Sequence, residues 1–121
     1  MNSKRQMLLV RKRGTDAFMQ PGGKIDEGET PMRALKRELI EELNLDLCDD
    51  AFSLLGEFEA VAANEADSVV NAVVYRIDHE GPFEPAAELD AATWYPSKDN
   101  TTLELAPLTR DHILPATGVA I

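Results

Sequence analysis

The feature that most constrains the fold is residues 30–44, TPMRALKRELIEELN, which carry the signals of an amphipathic helix. Thr30 can cap the first turn through its side-chain oxygen, and Pro31 suits the first helical position because its missing N–H would have no partner there. At about 100° per residue, four apolar side chains share one stripe: Met32, Leu35, Leu39 and Leu43. Asn44 suits the C-terminal cap, since asparagine tolerates the left-handed backbone. The segment therefore predicts one long helix packed on a core.

Short apolar segments on both sides of this helix predict strands. They are RQMLLVRKR, FSLLGEFEAVAA at residues 52–63, SVVNAVVYRI at residues 68–77, and ATWYP, closed by Pro96. APLTRDHILP predicts a short final helix. Strands mixed with two helices of different length indicate an α/β or α+β sandwich. At 121 residues, the length fits a single domain over residues 1–121.

The composition restricts the class of partner. A net charge of -10 and a pI near 4.5 argue against a nucleic-acid polymer, which requires a basic face. An anionic small substrate would then need a bridging cation. Cys48 is the only cysteine, which excludes an internal disulfide and is typical of a reducing compartment. The apolar run at residues 7–10 is too short to span a membrane, so we expect a cytoplasmic protein with no membrane partner.

Three glutamates crowd a second face of the predicted helix. Glu38, Glu41 and Glu42 fall within a sector of roughly 100°, where like charges repel. A solvated acidic face is one explanation. A ligand is the other: the macrodipole disfavours acids toward the helix C-terminus, the preceding PGG turn allows close backbone approach, and Glu29 adds a further carboxylate. Converging carboxylate oxygens are what Mg²⁺ or Mn²⁺ requires, and such an ion offsets their repulsion.

Residues 23–45 resemble the Nudix box, G-x5-E-x7-R-E-U-x-E-E-x-G-U, in which U is a bulky aliphatic residue. The residues that match in order and spacing are Gly23, Glu29, Arg37, Glu38, Leu39, Glu41, Glu42 and Leu45. Asn44 stands where the family usually has glycine, a mild replacement because asparagine also adopts the left-handed backbone. The rest of the chain is similar to the MutT-like branch in broad pattern only, through LLVRKRG and FMQPGGKI before the box and WYP after it.

The resemblance implies hydrolysis of a nucleoside diphosphate linked to another group, on an α/β/α sandwich around a mixed curved sheet, with Mg²⁺ or Mn²⁺ as cofactor. The metal ligands it implies are Glu38, Glu41, Glu42 and, from a distant loop, Glu88, with Glu84 as the alternative. The catalytic residues it implies are Glu38, Glu41, Arg37 and Glu29. Arg37 would pair with Glu29 to orient the acids, and Glu38 or a downstream glutamate would be the general base. The residues expected near the diphosphate are Gly22, Gly23 and Lys24, although a solvated lysine is equally consistent.

Substrate identity is less constrained, because residues outside the box select it. The region AVAANEA carries neither the proline that marks ADP-ribose hydrolases nor the tyrosine that marks dinucleoside polyphosphate hydrolases. By elimination we expect a MutT-like (d)NTP pyrophosphohydrolase acting on a small nucleotide. The alternatives are an ADP-ribose or nucleotide-sugar pyrophosphatase and a non-catalytic nucleotide sensor. Retention of all three helix glutamates favours an enzyme over a sensor.

Two other sets of residues each allow two interpretations of their role. Three aromatic side chains are candidates either to stack on a base or to pack in the core: Phe18, Phe58 and Tyr75. The basic residues within 4–13 either steer an anionic substrate or form a solvated strand edge.

The residues before the first predicted strand affect the oligomeric state that we expect. Nudix domains usually place a complete strand ahead of the LLV strand, and here six residues precede Met7. Either upstream residues are missing from the sequence, or the fold lacks the usual first strand and exposes a sheet edge. An exposed edge pairs readily with another chain, so we expect a homodimer.

Overall fold

Four strands and two helices are present in the described part of the chain. The computed structural model describes residues 1–62, 65–86, 88–98 and 102–118. The strands are β1 (Met7–Lys12), β2 (Phe52–Ala62), β3 (Glu65–Ile77) and β4 (Leu89–Tyr95). The helices are α1 (Pro31–Leu43) and α2 (Leu114–Thr117), with a 3-10 turn at Asp49–Ala51 and a π-helical segment at Thr109–Ile113. Each predicted element has a counterpart, and Ala63, the last residue of one predicted strand, lies outside the described residues. No helix within the described ranges is both long and apolar enough to cross a membrane.

β1 lies between two helical layers and is buried on both faces. Met7 and Leu9 pack in a cluster with the C-terminal helical segment. Leu8 and Val10, on the opposite face, pack with Leu39 of α1. A strand covered on both faces is apolar at consecutive positions instead of alternating, which is why the sequence reads MLLV. This layering is the α/β/α sandwich that the resemblance implied.

The strands pair as two antiparallel two-stranded sheets, β1 with β4 and β2 with β3. Single bridges extend the β1 sheet on its other side. Val10 forms an antiparallel bridge with Met19, and Phe18 forms a parallel bridge with Leu105. The parallel bridge gives the sheet its mixed character.

α1 begins and ends with the predicted caps. Thr30 Oγ1 accepts a hydrogen bond from Arg33 N at 3.2 Å, and Pro31 occupies the first turn. At the other end, Asn44 adopts the left-handed conformation with φ 52° and ψ 40°, and its N–H donates to Ile40 O at 3.0 Å. Asparagine therefore performs the conformational role of the glycine that usually stands here in the box.

The predicted apolar stripe of α1 packs on one core cluster, and the buried side of the helix is wider than that stripe. Leu39 and Leu43 are buried, whereas Met32 and Leu35 are only half-buried. Glu42 is buried as well, with 1% of its surface exposed. The second half of α1 therefore lies deeper than the first, and it carries one of the predicted ligand carboxylates into the interior.

Residues 1–6 form a turn, so no strand precedes β1 in this part of the described chain. Gln6 O accepts a hydrogen bond from Asn2 N at 3.0 Å, and Asn2 O accepts one from Arg5 N at 3.1 Å. The Met1 ammonium donates to Ile77 O at 2.5 Å, which ties the turn to the end of β3. The expected homodimer stays a prediction.

Candidate functional site

A cavity of about 670 Å³ lies where the end of β1, the second half of α1 and the start of β4 come together. Its walls carry four carboxylates and two cations: Glu38, Glu41, Glu42, Glu88, Lys12 and Arg13. The fold thus brings all four predicted metal ligands to one cavity, although Glu88 is far from the others in sequence.

Arg37 connects the helix to the loop that precedes it. Its Nε and Nη2 donate to the two carboxylate oxygens of Glu29, each at 2.9 Å, as a bidentate pair. Nη1 donates to Glu38 Oε1 at 2.9 Å and lies 3.5 Å from Glu41 Oε2. Nη2 also donates to Lys24 O at 3.1 Å. The hydrogen bonds from Arg37 are the main cause that lowers the pKa of Glu29 to about 2, so this carboxylate is ionised at neutral pH.

Gly22 and Gly23 contact the helix carboxylates directly. A Cβ placed on Gly23 would lie 2.4 Å from Glu38 Oε1, so only glycine leaves room for that carboxylate in its present position. Gly22 has a φ of +144°, a conformation that side chains disfavour, and its N–H donates to Glu42 Oε2 at 3.2 Å. The PGG turn therefore determines where two of the helix carboxylates lie.

Glu42 is the most unusual group in the site. Its Oε1 is buried and has no hydrogen-bond partner among the described residues. Lys12 Nζ lies 3.9 Å from that oxygen. Burial raises the pKa of Glu42 to about 7, although the charge of Lys12 and the hydrogen bond from Gly22 oppose this rise. The charges of Glu38 and Glu88 raise the pKa of Glu42 further. A buried carboxylate oxygen without a donor is unfavourable, so a cation bound at this atom would stabilise it.

Main-chain hydrogen bonds hold Glu88 at the cavity. Ala86 N donates to Glu42 O at 2.7 Å, and Arg13 N donates to Glu88 O at 2.8 Å. Glu84, the alternative candidate, is engaged elsewhere. Its Oε2 accepts a hydrogen bond, at 2.8 Å, from the side chain of the residue that caps the C-terminus of α1. The geometry thus favours Glu88 over Glu84 as the acid contributed by the loop.

The donor chemistry of the cavity fits a hard divalent cation. Its carboxylates are oxygen ligands of the kind that Mg²⁺ and Mn²⁺ prefer, and the unpartnered Glu42 Oε1 is among them. In the described part of the chain, no three His, Cys, Asp or Glu side chains are already arranged around a common metal position. Glu38 and Glu41 instead contact Arg37. The predicted ligands therefore line one cavity but are not preformed around a common ion position.

Comparison with known proteins agrees with this geometry. The family model of the NUDIX domain matches residues 1–116. The chain belongs to the NUDIX family. Nudix hydrolases generally use divalent metals, which accords with the carboxylate-lined cavity.

Two curated proteins match part of this chain, and one solved structure matches most of it. An RNA pyrophosphohydrolase of Psychrobacter sp. (strain PRwf-1) is 48% identical over 44 residues, which are 36% of this chain and 25% of the relative. An 8-oxo-dGTP diphosphatase of Haemophilus influenzae is 68% identical over 44 residues, 33% of this chain and 32% of the relative. The matches thus span about a quarter to a third of these relatives. The crystal structure of a MutT NUDIX hydrolase from Burkholderia pseudomallei superposes with a TM-score of 0.72 at 24% identity, over 96% of this chain and 88% of that one. This likeness confirms the predicted Nudix fold.

Sequence reasoning included Lys12 and Arg13 only among the basic residues within 4–13, as steering groups or a solvated strand edge, and both of them line the cavity. Lys12 follows Val10 by two residues, so the alternation of β1 directs it to the face covered by α1, and this was the signal that could have identified it. Lys24 is exposed and does not line the cavity, and its carbonyl is what contacts Arg37.

The three aromatic candidates belong to the core. Phe18 is 7% exposed and lies in the cluster beside the C-terminal helical segment, and Phe58 packs against the same cluster. Tyr75 packs edge-on against Phe52 with ring centroids 6.2 Å apart. None of the three lines the cavity.

Proposed function

We propose that this Nudix protein hydrolyses a nucleoside diphosphate linked to another group, and that its substrate is a small (d)NTP, which it cleaves as a MutT-like pyrophosphohydrolase. The observation that carries the proposal is the buried Glu42 carboxylate, whose Oε1 has no donor among the described residues and which lies in the wall of a cavity shared with three further glutamates and two cations. Such a cavity suits a divalent ion and, through it, a diphosphate.

The residues of the cavity have separable roles in this proposal. The carboxylates that would hold the ion are Glu38, Glu41, Glu42 and Glu88. A bound divalent ion would supply Lewis acidity, which neutralises charge on the diphosphate and acidifies water. Arg37 keeps Glu38 and Glu41 oriented through the contacts described above, and Glu29 holds Arg37 in turn.

Proton transfer and charge neutralisation fall to other groups. A carboxylate oxygen of Glu38 or of the downstream Glu88 takes the proton of the attacking water, depending on which of them reaches it. Lys12 and Arg13 place positive charge on the cavity wall, where phosphate oxygens of the substrate would lie.

Two observations support a nucleoside triphosphate as the substrate. The stretch shared with the Haemophilus influenzae protein, named an 8-oxo-dGTP diphosphatase, is 68% identical. The region after the box lacks the markers of the ADP-ribose and dinucleoside polyphosphate subclasses. The relatives named RNA pyrophosphohydrolase make the triphosphate end of an RNA a second candidate, but the net charge of -10 disfavours a polymeric substrate.

A substrate panel with Mg²⁺ tests the proposal. It contains dNTPs including 8-oxo-dGTP, ADP-ribose, a nucleotide sugar, a diadenosine polyphosphate and a triphosphate-ended RNA. Each is offered to the wild type, to Glu41→Gln, and to Glu57→Gln, which removes an exposed carboxylate of β2 outside the cavity. We expect turnover of a dNTP by the wild type and by Glu57→Gln, and loss of at least about 100-fold in Glu41→Gln. If only another compound of the panel is hydrolysed, the proposed substrate is wrong and that compound replaces it. If no compound is hydrolysed while a nucleotide raises the unfolding temperature, the protein is a nucleotide sensor and the proposal is wrong.

A further inference from the structure

Lys12 is the cation that faces the buried carboxylate. Its Nζ lies 3.9 Å from Glu42 Oε1 and donates a hydrogen bond to Gly22 O at 3.3 Å. Gly22 N donates to Glu42 Oε2 at 3.2 Å, so the three residues form a closed set of contacts. A separation of 3.9 Å is an ion pair but too long for a hydrogen bond. Lys12 therefore forms an ion pair with Glu42 but does not donate a hydrogen bond to its Oε1.

The strand geometry directs Lys12 toward Glu42. Arg11 and Lys12 point to opposite faces of β1, as neighbours on a strand do. Between these two residues the pairing of β1 with β4 changes register, which leaves Asp90 as an extra residue of β4. Asp90 pairs with Arg11 at 4.0 Å. Within the described part of the chain, Lys12 forms its ion pair with Glu42.

We propose that Lys12 is a resident counter-cation of Glu42 and competes with the divalent ion for that carboxylate. In the metal-free protein Lys12 pairs with the ionised carboxylate of Glu42, and in the metal-loaded protein it gives up the carboxylate and turns into the cavity. The inference rests on the proposed function, because it takes Glu42 to be a metal ligand.

Two properties of the site support an exchange between the two cations. The side chain of Glu42 is 2% exposed, so charges beside it are weakly screened and a second cation at the same oxygen is strongly repelled. The side chain of Lys12 is 40% exposed, so it already has a path into the cavity. Metal binding would thereby release a positive charge where the phosphates of a substrate arrive, and metal loading would favour substrate binding.

Metal titration of the metal-free protein tests the inference without any turnover. The affinity for Mn²⁺ is measured by calorimetry for the wild type, for Lys12→Gln, which keeps a donor for Gly22 O, and for Lys12→Arg, which keeps the cation. Arg13→Gln is the matched control, because it removes the same charge from the same cavity wall. The titration is run at about pH 8.5, because the pKa of Glu42 is about 7 and loss of Lys12 raises it further. There we expect Lys12→Gln to bind Mn²⁺ about 10-fold more tightly than the wild type, Lys12→Arg to bind as the wild type does, and Arg13→Gln to gain less than about 3-fold.

A second measurement uses the wild type alone, so it stands even if Lys12→Gln does not fold. The rate at which an amine-reactive acetylating reagent modifies Lys12 is followed by mass spectrometry with and without Mn²⁺. Release of the ammonium from Glu42 should raise that rate severalfold, whereas the rate at the exposed Lys24 stays unchanged.

The outcomes separate the two proposals. Unchanged or weaker Mn²⁺ binding by Lys12→Gln, an equal gain in Arg13→Gln, or an acetylation rate insensitive to Mn²⁺ overturns the role of Lys12 and leaves the proposed function standing. Failure of the wild type to bind Mn²⁺ overturns the proposed function itself, and the inference with it.

Discussion

Replacing Glu42 by glutamine should remove a pH-dependent loss of stability from the metal-free protein. Burial raises the pKa of this carboxyl from 4.5 to about 7, and its Oε1 has no hydrogen-bond partner in the described part of the chain. A carboxyl whose pKa is raised on folding favours the native state only while it is protonated. Its contribution is therefore fully present below pH 4.5 and is lost as the pH rises through about 7. Glutamine stays neutral throughout and can still accept the hydrogen bond from Gly22 N.

The size of the effect follows from the two pKa values. The difference between 4.5 and about 7 corresponds to about 3 kcal/mol of unfolding free energy over the whole titration, at about 1.4 kcal/mol per pH unit. Of this, about 2 kcal/mol falls between pH 5.5 and pH 7.5. With a urea dependence of about 1–2 kcal/mol per M for a domain of this size, the unfolding midpoint should fall by about 1–2 M.

Urea unfolding followed by circular dichroism, in EDTA at the two pH values, measures the effect. The matched control is Glu41→Gln, because that carboxylate is 50% exposed on the same helix. The wild type and Glu41→Gln should lose about 2 kcal/mol on going to the higher pH, and Glu42→Gln should lack that loss. The same pH dependence in the wild type and Glu42→Gln would refute the reasoning.

Three further substitutions test the arrangement of the site. Gly23→Ala places a methyl group where the Glu38 carboxylate lies, so kcat for the identified substrate should fall at least about 10-fold with little change in the unfolding temperature, and undiminished turnover would contradict the contact. Arg37→Lys loses the bidentate fork, and kcat should fall about 10- to 100-fold in a protein that still folds, as circular dichroism can verify. Glu88→Gln should weaken Mn²⁺ binding about 10-fold in calorimetry, whereas Glu84→Gln, outside the cavity, should leave it unchanged; equal effects would remove the distinction between them.

The sequence was sufficient for the helix and for the spacing of its acids, because both depend on local rules. The caps at Thr30 and Asn44 follow from side-chain chemistry and backbone preference within one turn. The pairing of Arg37 with Glu29 was implied by the match to the box, and the structure contains that ion pair. The order of strands also followed from short apolar segments, which are local signals too.

Contacts between distant segments were beyond local rules. The burial of Glu42 depends on how α1 tilts against β1, which no periodicity within the helix reveals. The approach of Glu88 depends on a main-chain hydrogen bond from Ala86 to the end of α1, and a backbone group carries no sequence signal. The alternating side-chain direction along β1 indicates the face on which Lys12 lies. That alternation is hard to recognise in the sequence, because β1 is buried on both faces and is apolar at consecutive positions.

The two-sided burial of β1 also affects how the chain finds its pairing. A strand with one apolar face resists a slip of one residue, because every side chain would change sides. The run from Met7 to Val10 is apolar on both faces, so these residues alone give little energetic preference for one register of β1 against β4 over the neighbouring one. The preference comes from its charged end, where Arg11 meets Asp90 and Lys12 meets Glu42 on opposite faces. A displaced strand would exchange the two cations and separate both pairs. Lys12 and Glu42, which belong to the proposed site, thus also help to fix the register of β1. Substitutions made there to alter activity should therefore be checked for mispaired, aggregation-prone species as well.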